Sequence, residues 1–240
     1  MRTTLARLRN GLRRVAAGLP PAEEAVWPGV RNDLFVAHEA VYSFATGFAH
    51  GARTLDAACG TGYGSHILAA NGARSVLGID REPRRVRFAQ RRYRLPNLEF
   101  RVADCTSLEL AIQSLDFVVS SNTLEHLQEP ESFLRAVAGA LAPNGRFLIV
   151  VPPVLSAADL GDHRDNPFHL SPLSVQAWAE LFEAEGWKYE FFAQYCSDKL
   201  DFASPHPSAV RPSAFSFVAG PLALAYSRAP ISAAYLLRRG

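Results

Sequence analysis

The segment Leu55-Asp-Ala-Ala-Cys-Gly-Thr-Gly-Tyr-Gly64 constrains this chain more than any other, because it reads as an apolar strand handed to a helix through a tight glycine loop. Gly60 and Gly62 supply positive φ angles and lack a Cβ, which lets backbone approach a ligand closely, and the helix continues over Ser65 to Ala70. Dinucleotide sites use nearly the same loop, but two features set this one apart. The third glycine of that pattern would stand where Ser65 is, with Gly64 one place early. A carboxylate such as Asp56 aimed at a pyrophosphate would also meet two negative charges. Asp56 suits a ligand with a cationic end instead.

Acidity recurs downstream at a fixed interval. Val76-Leu-Gly-Ile-Asp80 and Leu98-Glu-Phe-Arg-Val-Ala-Asp104 are apolar runs ending in Asp, so Asp56, Asp80 and Asp104 follow one another at steps of 24 residues. That step is one βα unit, and in a parallel sheet the three carboxylates emerge along the carboxyl edge where such sheets bind ligands. S-adenosylmethionine is the common cofactor that joins an ammonium to a nucleoside. Asp56 is expected to face its ammonium, Asp80 its ribose hydroxyls and Asp104 its adenine amine. Each Asp taken alone could equally be the N-cap of a following helix. Cys59 and Cys105 read as small buried fillers, with the Cys105 N–H near the adenine.

With these residues in place, the chain resembles the class I S-adenosylmethionine-dependent methyltransferases over residues 35 to 195. The family's fourth-strand segment is matched by Leu115-Asp-Phe-Val-Val-Ser-Ser-Asn-Thr-Leu-Glu-His-Leu127 and its fifth by Leu141-Ala-Pro-Asn-Gly-Arg-Phe-Leu-Ile-Val-Val-Pro-Pro153. The resemblance implies a Rossmann-like α/β fold: a mostly parallel seven-stranded sheet, helices on both faces and an antiparallel C-terminal hairpin. It carries cofactor binding onto Asp56, Ala58, Cys59, Gly60, Gly62, Asp80, Arg81, Asp104, Cys105 and Asn122. A bacterial subgroup associated with polysaccharide or sugar modification is also similar, through Asn166-Pro-Phe-His169, Gly62-Tyr-Gly-Ser65, Gln194, His38 and Tyr42. That likeness implies a substrate side formed by His38, Tyr42, Tyr63, His163 and Gln194, although Val41 stands where the subgroup commonly has Arg.

Methyl transfer from a sulfonium is an in-line displacement that gains mostly from alignment, and a base is needed only when the nucleophile is a hydroxyl of high pKa. His169, in the polar segment Asp162 to Leu170, is the first candidate for that base and His126 the second. Asn122, Glu125 and His126 stand at i, i+3 and i+4, one face of any helix that starts there. Certain quinone-biosynthesis methyltransferases resemble this segment and carry Glu-x-x-Glu-His as metal ligands. Asn122 removes one anionic ligand, so no metal is expected. Oxygen and nitrogen acceptors both remain open.

The 240 residues, 48% hydrophobic, suffice for one substantial α/β core. A net charge of +2 gives no sign of nucleic acid, and the arginines of residues 81–94 read as a solvated helix face. Three cysteines without a C-x-x-C pair argue against a disulfide framework or zinc cluster and for a reduced cytoplasm. Leu5, Leu8, Leu12 and Val15 among arginines predict a short basic amphipathic helix over residues 1–20, a packing element or a membrane-surface or subunit contact. No transmembrane span is expected, since Pro221, Arg228 and Pro230 interrupt the apolar C-terminus. Trp187 to Phe192 and Ser213 to Ala219 should pair as an antiparallel hairpin. The expected organisation is an extension over 1–30, a methyltransferase domain over 31–220 and a helical appendage over 221–240 that covers the core or meets a second subunit in a homodimer. The expected activity is methyl transfer to an oxygen or nitrogen of a small molecule, such as a sugar, glycan or secondary metabolite. The alternatives are a quinone-type O-methyltransferase, a nicotinamide-dependent oxidoreductase and a non-catalytic binding module of the same fold.

Overall fold

The structure, a computed structural model, describes residues 29–107, 111–204 and 206–240. The helix expected over residues 1–20 lies outside them. Helix α1 (Asp33–Ala49) opens on Asn32, whose side chain accepts a hydrogen bond from the Phe35 N–H at 3.0 Å. It leads into β1 (Arg53–Ala57), α2 (Tyr63–Ala70), β2 (Ser75–Asp80), α3 (Pro83–Arg92) and β3 (Leu98–Val102). Then come β4 (Leu115–Ser121), α4 (Pro130–Ala140), β5 (Leu141–Val151), α5 (Ala157–Arg164), α6 (Val175–Ala184) and β6 (Trp187–Cys196). Strand β7 (Phe215–Ala219), helix α7 (Ala223–Ser227) and strand β8 (Ser232–Arg239) complete the chain.

These strands form one sheet in the order β3-β2-β1-β4-β5-β8-β6-β7. Strands β3 to β5 pair in parallel, and β8 runs antiparallel to both β5 and β6. The chain steps outward from β1 to β3, then returns to the other side of β1 with β4. The order therefore reverses between β1 and β4, and the crevice beyond the carboxyl ends of those strands is where such a sheet binds ligands.

Alternation along the strands makes two cores. Phe147, Ile149 and Val151 of β5 pack with Phe133, Val137, Trp178 and Phe182 from α4 and α6. Leu148 and Val150 pack on the opposite face with Val41, Ala45 and Leu68 from α1 and α2. Both faces are thus covered, which is why Phe117 to Val119 of β4 and Phe147 to Val151 of β5 read as unbroken apolar runs.

The expected hairpin forms, with Phe192 opposite Ala219 and Cys196 opposite Phe215. The expected Rossmann-like, mostly parallel sheet forms as well, with eight strands in place of seven. One expectation is corrected: residues 221–240 are not an appendage, because β8 lies inside the sheet with Ala233 to Leu237 all buried. The Tyr235 hydroxyl donates to the Val175 carbonyl at 2.6 Å, tying β8 to the start of α6. A strand buried on both faces carries no alternation by which to recognise it, and Pro230 reads as a break. Among the described residues, no helix is long and apolar enough to cross a membrane.

Truncation after Gly220 should therefore abolish cooperative folding and leave insoluble protein, since it uncouples β5 from β6. Soluble truncated protein with the full-length melting transition would show that β8 is dispensable.

Candidate active site

At the carboxyl edge of β1, β2 and β4 lies a cavity of about 540 Å³. Its walls bring together Ala58, Cys59, Gly60, Asp80, Arg81, Asp104, Cys105 and Asn122, with His38, Tyr42 and Tyr63 from α1 and the start of α2. Most residues expected on the cofactor side therefore converge from segments far apart in sequence. His126 lines it from the 3-10 turn Leu124–His126, Gln128 from just beyond that turn, and Pro167, Phe168 and Leu170 from the loop after α5.

Asp80 is the electrostatic anchor of the glycine loop. Its carboxylate accepts from the Gly60 N–H at 2.9 Å and the Glu82 N–H at 2.8 Å, and the Arg85 guanidinium lies 3.7 Å away. Asp104 accepts from the Thr106 N–H and hydroxyl, at 2.8 and 2.7 Å, and these bonds hold its pKa below the ordinary carboxylate value. Burial pushes the Cys105 thiol up to about 12 and raises that of Cys59, so both stay protonated and inert, as fillers should. Burial lowers His38 to about 4, which keeps it neutral, with its Nε2 3.5 Å from the Asn122 amide nitrogen. Ala58 and Asn122 hold φ angles of 59° and 50°, a conformation that costs non-glycine residues energy. Both line the cavity, whereas Gln113, at φ 52°, lies away from it.

Asp56 does not line the cavity, contrary to the sequence expectation. It is fully buried, and its two oxygens accept from the Tyr42 hydroxyl at 3.0 Å and the Ser65 hydroxyl at 2.6 Å. Desolvation, opposed by these two hydrogen bonds and reinforced by the nearby Asp80 charge, pushes its pKa up to about 6. Gly62 is also displaced from its expected role. A Cβ there would sit 2.6 Å from the Ala89 Cβ and 2.7 Å from the Phe100 ring, so Gly62, with φ 82°, serves close packing against α3 and β3. Gly60, with φ 56°, has open space where its Cβ would stand and is the glycine that faces the cavity.

Two residues expected on the substrate side are elsewhere. The Gln194 amide donates to the Ala37 carbonyl at 3.0 Å and accepts from the Ser232 hydroxyl, tying α1 to β6 and β8 in the interior. His163, in the last turn of α5, stacks on His169 with ring centroids 4.8 Å apart and Nδ1 atoms 2.8 Å apart. His169 lines a shallower cavity of about 380 Å³ that shares Gln128 and Leu170 with the main one. Its ring meets that of His126 edge-on at 4.9 Å. Residues missed by sequence reasoning include Arg85, Ser121, Thr123 and Phe168. Arg85 lies in the arginine-rich stretch 81–94, where composition alone does not separate it from the solvated face.

The family described as Methyltransferase domain matches residues 55–149, which span the glycine loop through β5. A Mycolicibacterium smegmatis protein named as a probable S-adenosylmethionine-dependent methyltransferase is 32% identical over 176 residues, 72% of this chain and 67% of that one. This chain belongs to the S-adenosylmethionine-dependent methyltransferases. The methyltransferase is also 38% identical over 101 residues to phosphoethanolamine N-methyltransferase 1 of Triticum aestivum, covering 41% of this chain and 20% of that one. A solved S-adenosylmethionine-dependent methyltransferase from Mesorhizobium loti superposes with a TM-score of 0.62 at 19% identity, covering 87% of this chain and all of the other, a likeness of fold. The cofactor of the methyltransferase is S-adenosylmethionine, and the cavity residues fit it: two acids and a bare glycine backbone on one side, apolar and hydroxyl groups on the other.

The two glycines should separate stability from binding. Gly62→Ala should cost about 2–4 kcal/mol of stability through overpacking and forced positive φ, whereas Gly60→Ala should cost only about 1 kcal/mol yet weaken S-adenosylmethionine binding severely. Denaturant melts and calorimetry check both, and equal stability losses would refute the division of roles.

Proposed function

We propose that the methyltransferase transfers the sulfonium methyl to an oxygen or nitrogen of a small molecule, a sugar, glycan or secondary metabolite. The observation that carries this reading is His126. Its Nδ1 donates to the Phe168 carbonyl at 2.8 Å, which fixes the ring at the cavity wall and leaves Nε2 as a proton acceptor. His169 follows one residue after Phe168, so the loop that seats His126 also sets the second histidine beside it. In this reading the acceptor side is the end of the cavity lined by Gln128, Phe168 and Leu170, where Phe168 and Leu170 are exposed. A cavity of about 540 Å³ that must also hold the cofactor suits a compact acceptor, and a net charge of +2 supplies no strong attraction for nucleic acid.

In this reading His38 and Tyr42 shape the acceptor side, and Tyr63 closes it from α2. The acceptor hydroxyl loses its proton to His126 Nε2 as its oxygen attacks the methyl carbon, and the sulfur keeps the electron pair of the broken C–S bond. An unprotonated amine needs no such base. Three free cysteines, Cys59, Cys105 and Cys196, fit action in a reduced cytoplasm.

The test is formation of S-adenosylhomocysteine, with an acceptor heavier by one CH₂, across sugars, quinols and amines. For a hydroxyl acceptor, His126→Ala should lower kcat by roughly 10²–10⁴-fold while leaving cofactor affinity within a small factor. Silence with every acceptor despite tight cofactor binding would point to a binding module, and an unchanged kcat in the variant would remove His126 from the chemistry.

A further inference from the structure

The histidines beside the acceptor recess form a set that acid–base chemistry alone does not require. Glu125, His126 and His169 each offer one ligand atom, and these atoms lie within 4.8 Å of one another. Glu125 is 2% exposed, the two histidines part-buried. Glu125 Oε1 and His126 Nε2 are 3.9 Å apart.

We infer that Glu125, His126 and His169 bind a divalent transition-metal ion at the acceptor end of the cavity. This rests on the methyl-transfer reading of the site but exchanges the base: a His126 Nε2 that ligates a metal has no lone pair left for the acceptor's proton, so the metal takes over the activation of a hydroxyl. Three observations carry the inference. First, the donor set is two imidazoles and one carboxylate, which suits zinc and its first-row neighbours, whereas magnesium and calcium prefer oxygen alone.

Second, the rings are oriented by bonds at their far nitrogens. His126 Nδ1 donates to the Phe168 carbonyl, and His169 Nδ1 meets His163 Nδ1 at 2.8 Å. When His169 is the donor of that pair, both ring Nε2 atoms carry lone pairs. This is the arrangement by which outer groups set the tautomer of metal-binding histidines. His163, which lies outside the main cavity, gains a role here as a positioning residue.

Third, two separate elements converge on the set. Glu125 and His126 come from the 3-10 turn after β4, and His169 from the loop after α5, held there by its N–H to the Asn166 carbonyl at 3.0 Å and by the neighbouring Ser171 N–H to the Glu125 carbonyl at 3.0 Å. Bonds of about 2.0–2.1 Å to a tetrahedral ion place ligand atoms about 3.3 Å apart, so loading draws the three side chains inward by roughly 1 Å. Three protein ligands leave a fourth position open. An acceptor hydroxyl bound there would release its proton to solvent at lower pH than when free, and its oxygen would attack the methyl carbon as the C–S bond breaks with its electron pair left on sulfur.

The experiment uses the full, tag-free chain, stripped with a chelator and titrated with Co²⁺. The expected result is one equivalent bound, with the intense visible bands of a four-coordinate ion. His169→Gln and Glu125→Gln should each weaken Co²⁺ binding at least 100-fold, and His163→Ala by about 10- to 100-fold. S-adenosylmethionine should still raise the melting temperature of the His169→Gln chain, showing that its fold persists. No visible bands, or bands that survive His169→Gln in folded protein, would overturn the site. Full turnover by stripped protein would overturn it too while leaving methyl transfer standing. Cobalt binding by a chain that ignores S-adenosylmethionine would instead overturn the methyl-transfer reading.

Discussion

The site depends on one buried carboxylate. Asp56 sits at the end of β1 with no access to solvent, and its two oxygens are the meeting point of α1, through Tyr42, and α2, through Ser65. The Tyr42 ring lies so close to Gly64 that a Cβ there would stand 2.1 Å from it. Helix, strand and loop are thus locked around a group whose burial disfavours its own charge. Two hydroxyl donors offset part of that cost. The residues that follow Asp56, Ala58 to Gly60, are the ones that line the cavity, so the carboxylate acts on a ligand through the loop it organises and through its field.

A second carboxylate completes the arrangement. Asp80 grips the Gly60 N–H from β2, which fixes the loop from the ligand side, while Asp56 fixes it from the interior. Ala58 and Asn122 are held at positive φ within this frame. The cavity's shape is therefore held by the protein's own hydrogen bonds, consistent with a reaction that gains most from alignment. The acceptor end is built differently, from a 3-10 turn and a loop joined by hydrogen bonds between His126, Phe168, Ser171 and Glu125.

Much of this was legible in the sequence, and the failures have physical causes. The interval between Asp56, Asp80 and Asp104 disclosed the parallel βα units, because the period of a βα unit and the carboxyl edge of a sheet are fixed by geometry. Asp80 and Asp104 line the cavity. Asp56 could not be separated from them by pattern, since a strand-end acid looks the same whether its side chain meets ligand or helix. Gly60 and Gly62 share a motif but not a role, and only the positions of Ala89 and Phe100 distinguish them. β8 was missed because a strand covered on both faces has no alternation, and Gln194 because a buried polar tie between α1 and β8 has no local signature. The pairing of His163 with His169 required knowing where α5 ends.

The most direct measurement is calorimetric titration with S-adenosylmethionine between pH 5 and 8, on the native chain and on Asp56→Asn. In the free protein burial holds the Asp56 pKa near 6, above its ordinary value of 3.8. Its ionisation therefore does not stabilise the free fold: stability from this group is full below pH 3.8 and is lost as pH rises toward 6. A cationic ligand favours the ionised form, so affinity should be constant above pH 6 and fall below it, by up to about tenfold per pH unit. Asp56→Asn should bind more weakly at pH 7.5 and show a flat profile. A native profile that is flat through pH 6, or heat from a nicotinamide dinucleotide with none from the sulfonium compound, would contradict the account.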